Sequence, residues 1–103
     1  MASGKLATAD LAADTLTQIY QVPAGYTATY LISVCNRNST PIRIRLAETA
    51  TTSPAGSEWI EYDALILPNE ALERAGRVLG EGDYIYAQAN TGNVSINVNG
   101  YEE

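Results

Sequence analysis

Apolar and polar residues alternate with period two along most of this chain, the pattern of strands that bury one face. The cleanest case is 42–46 (IRIRL), where Ile42, Ile44 and Leu46 point one way and Arg43 and Arg45 the other. Residues 93–99 (NVSINVN) repeat it, with Val94, Ile96 and Val98 facing in and Ser95, Asn97 and Asn99 facing out. The longest run, 26–36 (YTATYLISVCN), is apolar on both faces and is therefore placed in the middle of a sheet. Residues 15–22, 58–67 and 84–89 complete the series of runs rich in β-formers. In 58–67, Ile60, Tyr62, Ala64 and Ile66 share one face. Segment 69–79 (NEALERAGRVL) is ambiguous, because its Ala, Leu, Glu and Arg favour helix. Leu72, Arg74, Gly76 and Val78 also alternate, however, and strands flank the segment. A strand with a bulge near Gly76 is the preferred reading.

Turn formers separate these runs at intervals of roughly 8–14 residues, which points to a single antiparallel β-sandwich. The fold class is all-β, with about 7–8 strands arranged in an immunoglobulin-like or a jelly-roll-like order, both of which the spacing allows. The alternation nominates Ile32, Val34, Ile42, Ile44, Leu46, Ile60, Val94, Ile96 and Val98 as core. Residues 1–14 differ from the rest. They are small and Ala-rich, and Leu6 and Leu11 are their only large apolar anchors. They are read as an N-terminal arm outside a sandwich domain of 15–103. The arm is expected to lie away from the sandwich or along its edge, with Leu6 and Leu11 burying against a neighbouring subunit or the surface on which the protein docks, by strand addition.

Composition narrows the chemistry. With no His, the commonest general base and metal ligand are both missing, so no catalytic, metal or cofactor site is expected. Cys35, the lone cysteine, has no His to activate it and reads as a half-buried free thiol. Asp83, beside Glu81, lacks the spaced series of acids of a calcium loop and reads as a turn former. A net charge of −6 argues against nucleic acid, whose phosphates need a basic face. No apolar run approaches the roughly 20 residues that span a bilayer, and the N-terminus has no secretory pattern. Synthesis and solubility in the cytoplasm are therefore expected.

Surface candidates remain. Arg37, Arg43 and Arg45 form either a basic stripe for a partner or pairs with Glu61 or Asp63 on a neighbouring strand. Trp59, Tyr84 and Tyr86 form either an exposed patch, able to stack on a glycan or anchor a protein, or part of the packing of a chain without Phe. Ser95, Asn97 and Asn99 are read as a polar row on an edge strand.

The segments LTQIYQVPAGYTATYLISVCNRN, SEWIEYDALILPNEALERAGRVLGEGD and NVSINVNGYEE resemble a family of small virion structural proteins of tailed bacteriophages. The resemblance spans residues 15–103. It implies a non-enzymatic virion component that binds a major capsid protein or tail and fibre proteins. A homo-oligomer is expected, with a trimer among the candidates. A capsid decoration subunit is the first reading, followed by a tail, baseplate or fibre-adaptor subunit and a carbohydrate-binding module.

Overall fold

A computed structural model describes residues 3–103. Among the described residues there are eight strands: β1 Ser3–Leu11, β2 Thr17–Gln21, β3 Ala28–Asn36, β4 Ile42–Thr49, β5 Trp59–Ile66, β6 Ala71–Leu79, β7 Tyr84–Ala89 and β8 Val94–Glu102. They form two antiparallel four-stranded sheets, ordered β1-β8-β3-β6 (sheet 1) and β2-β7-β4-β5 (sheet 2). β1 pairs with β8, β2 with β7, β3 with β6 and β4 with β5, as if one long hairpin had been rolled around a core. This nesting is the jelly roll, and it removes the immunoglobulin-like alternative.

The alternation read from sequence sets the interior. Ile32, Val34, Ile42, Ile44, Leu46, Val94, Ile96 and Val98 are buried, and Ile60 packs partly against them. Segment 69–79 is a strand, and its register slips between Arg74 and Arg77 at Gly76, whose φ is +71°. Glycine suits that left-handed backbone because it has no Cβ to clash.

Four expectations need correction. Residues 3–11 of the arm are the edge strand β1 of sheet 1, so they belong to the domain; Met1 and Ala2 lie outside the described residues. Ala7, Ala9 and Leu11 face Val98, Ile96 and Val94 across the ladder, so small side chains suffice where β8 supplies the bulk. Leu11 is buried in the chain's own core, and Leu6 packs against that core, so neither is kept for a neighbour. β8, read as an edge, lies between β1 and β3. Tyr62 turns outward and is 59% exposed. The reason is a bulge: Glu61 faces Leu46 and Ala64 faces Ile44, so Tyr62 and Asp63 together span Arg45, with Asp63 at φ +56°.

The ladders share a pattern. β3·β8 and β4·β7, in the sheet centres, run without a register shift. Each edge strand carries a shift: near Leu6 in β1, Ile19 in β2, Tyr62 in β5 and Gly76 in β6. Bulged edges resist pairing with another strand, which also weakens the case for docking by strand addition.

Polar side chains bind the sheets together. At the turn end of the sandwich, buried Asn36 donates from Nδ2 to the carbonyls of Thr40 (2.9 Å), Ile66 (3.1 Å) and Leu67 (3.2 Å). Its Oδ1 accepts from the Asn38 backbone N–H (2.9 Å). Toward the other end the Tyr20 hydroxyl donates to Glu102 and the Tyr30 hydroxyl to Glu48, each bond joining one sheet to the other. Arg77 completes the second group with two bonds to Glu48, at 3.0 and 2.5 Å. Burial, reinforced by the neighbouring glutamate, pushes both tyrosine hydroxyls well above their usual range.

Candidate interaction surfaces

Residues that alternate with the core form two outer faces of different chemistry. On sheet 1 the ladder registers set outward residues in rows across β1, β8, β3 and β6. One row is Thr8, Asn97, Ser33 and Glu73; another is Ser3, Tyr101, Thr29 and Val78. The two central strands present Ser95, Asn97, Asn99 and Tyr101 on β8, and Thr29, Leu31, Ser33 and Cys35 on β3. None of these eight residues is charged, in a chain of net charge −6. The charges of the face sit on the flanking strands and turn: Lys5 donates to Asn97 Oδ1 (2.6 Å), Arg37 pairs with Asp10 (2.5 Å), and Glu73 is exposed. The polar row Ser95, Asn97 and Asn99 is thus the middle of a broad face.

Sheet 2 carries the aromatic and basic side chains. Its outward residues include Tyr84 and Tyr86 on β7, Arg43 and Arg45 on β4, and Trp59 and Leu65 on β5. Arg45 binds Asp63 through Nε (2.6 Å) and Nη2 (3.2 Å), and its guanidinium lies 4.1 Å from the centre of the Tyr62 ring. Those hydrogen bonds hold the Asp63 carboxyl below the usual carboxylate range and raise Arg45. Arg43 donates to the Asp63 carbonyl oxygen (3.2 Å). Tyr84 and Tyr86 meet at a 41° tilt, and Trp59 and Tyr62 meet edge to face at 72°. Tyr86 is buried and donates to Gln18 (3.3 Å).

The structure therefore gathers Arg43, Arg45, Trp59, Tyr84 and Tyr86 on one face and leaves Leu6, Leu11 and Arg37 elsewhere. The three arginines do not make one stripe, since Arg37 reaches across sheet 1 and Arg45 pairs within sheet 2 as its intramolecular alternative foresaw. Tyr62, read on the face of Ile60 and Ile66, is a surface residue, while Leu65 lies on the opposite face from them, with Trp59, as the alternation predicts. The pairing of Arg45 with a nearby acid was foreseeable, but the bulge that turns Tyr62 outward is set by β4 and has no local signal.

Among the described residues no group of three or more Cys, Asp or Glu side chains is placed to hold a metal. Asp83 accepts from the Gly80 backbone N–H (3.1 Å), as a turn former does. A shallow hollow of about 320 Å³ lies between Gln21–Ala24 and Glu81–Gly82, and Glu81 already accepts from the Gly25 N–H (2.7 Å). Comparison with protein-family models, curated proteins and solved structures finds no match to this chain.

Proposed function

We propose that the chain is a non-enzymatic structural subunit of a tailed-phage virion, a decoration protein that lies on the capsid shell through the outer face of sheet 1. The observation that carries this reading is the run of eight uncharged outward positions on β8 and β3 of an acidic chain. Interface centres are depleted of charge. The face measures at most 41 × 28 Å, an upper limit of about 1,100 Å² against the ~800 Å² that each partner of a standard interface buries. Guarded edges suit a subunit crowded among many copies of itself, because they prevent stray strand pairing. Docking rests on the sheet and not on an arm, since β1 is already paired to β8.

Cosedimentation of the purified protein with phage particles stripped of it tests the proposal. Saturable binding to heads, lost in Leu31→Glu while the fold is kept, is the expected result. Binding confined to tails would favour a baseplate or fibre-adaptor subunit, which would use the same face. Binding to neither, with Trp59 fluorescence quenched by a glycan, would replace the virion reading by the carbohydrate-binding one.

A further inference from the structure

Four arginines each hold a carboxylate: Arg37 with Asp10, Arg45 with Asp63, Arg74 with Glu61 and Arg77 with Glu48. Among the described residues Arg43 has none within salt-bridge distance; its guanidinium donates to the Asp63 carbonyl oxygen and adds to the pull of Arg45 on the Asp63 carboxyl from further off, while its backbone N–H donates to Asn90 Oδ1. On a chain with twice as many acids as bases, such a cation is poised for an acid from outside. Its surroundings are apolar. Leu65 faces it across the ladder and is 51% exposed; Leu67, just beyond β5, is 48% exposed. With Tyr62 they form a basic and apolar stripe along the outer side of the edge strand of sheet 2.

The opposite chemistry lies around the same edge of the sandwich, on the other face. β6 borders sheet 1 as β5 borders sheet 2, and the Leu67–Glu70 turn joins them. Outward on β6 are Ala71, Glu73 and Val78, the last 60% exposed. Glu70 is exposed in the turn, and among the described residues neither Glu70 nor Glu73 has an ion-pair partner. Arg74 and Arg77 point to the inner side, toward Glu61 and Glu48, so the outer side of β6 is acidic and apolar with no base.

We propose that copies of this chain associate head to tail, the Arg43–Leu65–Leu67 stripe of one copy seated on the Glu70–Glu73–Val78 stripe of the next. The stripes differ in sign, so the contact is heterologous. A two-fold contact of the basic stripe with itself would set Arg43 facing a patch whose one carboxylate, Asp63, is already taken by Arg45. Because the stripes flank one edge on opposite faces, each copy turns about that edge relative to the last. The series closes into a small ring with the β5/β6 edges at its axis. Each contact is narrower than the ~800 Å² per partner of a standard interface, and closure compensates because every copy is held twice. The β1, β8 and β3 part of sheet 1 stays free, so the ring does not depend on the particle to which the chain belongs.

Sedimentation equilibrium on the purified chain tests this without any virion. A closed species at an integral multiple of 11.0 kDa is expected at low salt. It should weaken in 1 M salt, where screening acts within ~3 Å. Arg43→Glu alone, and Glu70→Arg with Glu73→Arg alone, should each weaken association ~10-fold or more, since each sets like charges face to face. The triple variant should recover it, which a folding defect could not do. A wild-type chain that stays monomeric at millimolar concentration, or an assembly indifferent to Arg43→Glu, overturns the proposal.

Discussion

Outward positions on the central strands of sheet 1 are Thr, Leu, Ser, Cys, Asn and Tyr, whereas those on the central strands of sheet 2 are Tyr, Gln, Arg, Ala and Thr. The backbones and inward residues of the two sheets follow the same alternation, so the difference concerns the outside alone. On sheet 2, long side chains satisfy one another. Arg45 binds Asp63 and covers Tyr62, Tyr86 reaches Gln18, and Ala47 lies wholly buried beneath this layer. On sheet 1 short side chains leave a half-exposed plane with hydroxyl and amide groups at hand. A partner meeting sheet 2 finds most polar groups already engaged; one meeting sheet 1 finds a row of short polar side chains of which Asn97 is engaged, by Lys5.

Sheet 1 should accordingly be the sheet that fails when its backbone packing is disturbed. The largest effect is expected from deleting residues 2–14. That removes β1, strips Val94, Ile96 and Val98 of Leu11, Ala9 and Ala7, and leaves β8 unpaired on one side. The loss should match the whole stability of a small domain, about 5 kcal/mol or more. Circular dichroism should show an unfolded chain at 25 °C. A truncated protein that melts like the full one would return residues 3–11 to the status of an accessory arm.

Next in size is Gly100→Ala. A Cβ there would sit 2.0 Å from the Thr29 carbonyl oxygen and 2.8 Å from Tyr30 Cα, both backbone atoms of the adjacent strand. Neither can swing aside, so β8 and β3 must part, at a cost of about 3–5 kcal/mol, at the high end for single substitutions. Gly56→Ala, where a Cβ meets open space, is the control and should be nearly silent. Urea titration of both variants separates a steric cause from a general intolerance of substituted glycine.

A third test reaches the contacts between the sheets. Tyr20 and Tyr30 keep their protons in the folded protein beyond the point, near 10.0, at which an unfolded tyrosine loses its own. Above about pH 10 the unfolded chain therefore binds fewer protons than the folded one, and stability falls as pH rises. The contribution is whole below pH 10 and declines by up to ~1.4 kcal/mol per pH unit for each tyrosine. Tyr30→Phe should flatten that slope in denaturant titrations between pH 9 and 11. An unchanged slope would mean that Tyr30 is not held neutral by burial beside Glu48.

How much of this was legible follows from how local each feature is. The strands 42–46 and 93–99 announce their inward faces because period-two alternation needs no partner to be read. Gly76 announces its bulge because glycine interrupts an otherwise continuous strand. β1 was misread because Ala7 and Ala9 look too small to hold a strand until Val98 and Ile96 are known to stand opposite. Tyr62 was misread because its exposure depends on two residues spanning Arg45, a property of the β4·β5 pairing. The uncharged face was in view as Ser95, Asn97 and Asn99, but its breadth required knowing that β8 lies between β1 and β3. Strand order is the least local property of all.

The smallest expected effect is on sheet 2, and it tests whether its outer layer is there for stability. Asp63→Asn removes the charge that Arg45 holds while keeping a residue that tolerates a φ of +56°. The pair is open to solvent, and such pairs contribute little because screening and side-chain ordering offset the attraction. The thermal midpoint should drop less than for any other destabilising change above, and the difference from wild type should vanish in 1 M salt. The sign with pH is fixed. The Asp63 carboxyl is lowered in the folded state, so its contribution is present above the usual carboxylate value of 3.8 and fades as pH falls through the lower folded one. Asp63→Asn should therefore differ from wild type at pH 7 and converge with it in acid. A large drop that persists in high salt would mean that Arg45, Asp63 and Tyr62 support the bulge itself, and sheet 2 would then depend on its outer layer as sheet 1 depends on its edge.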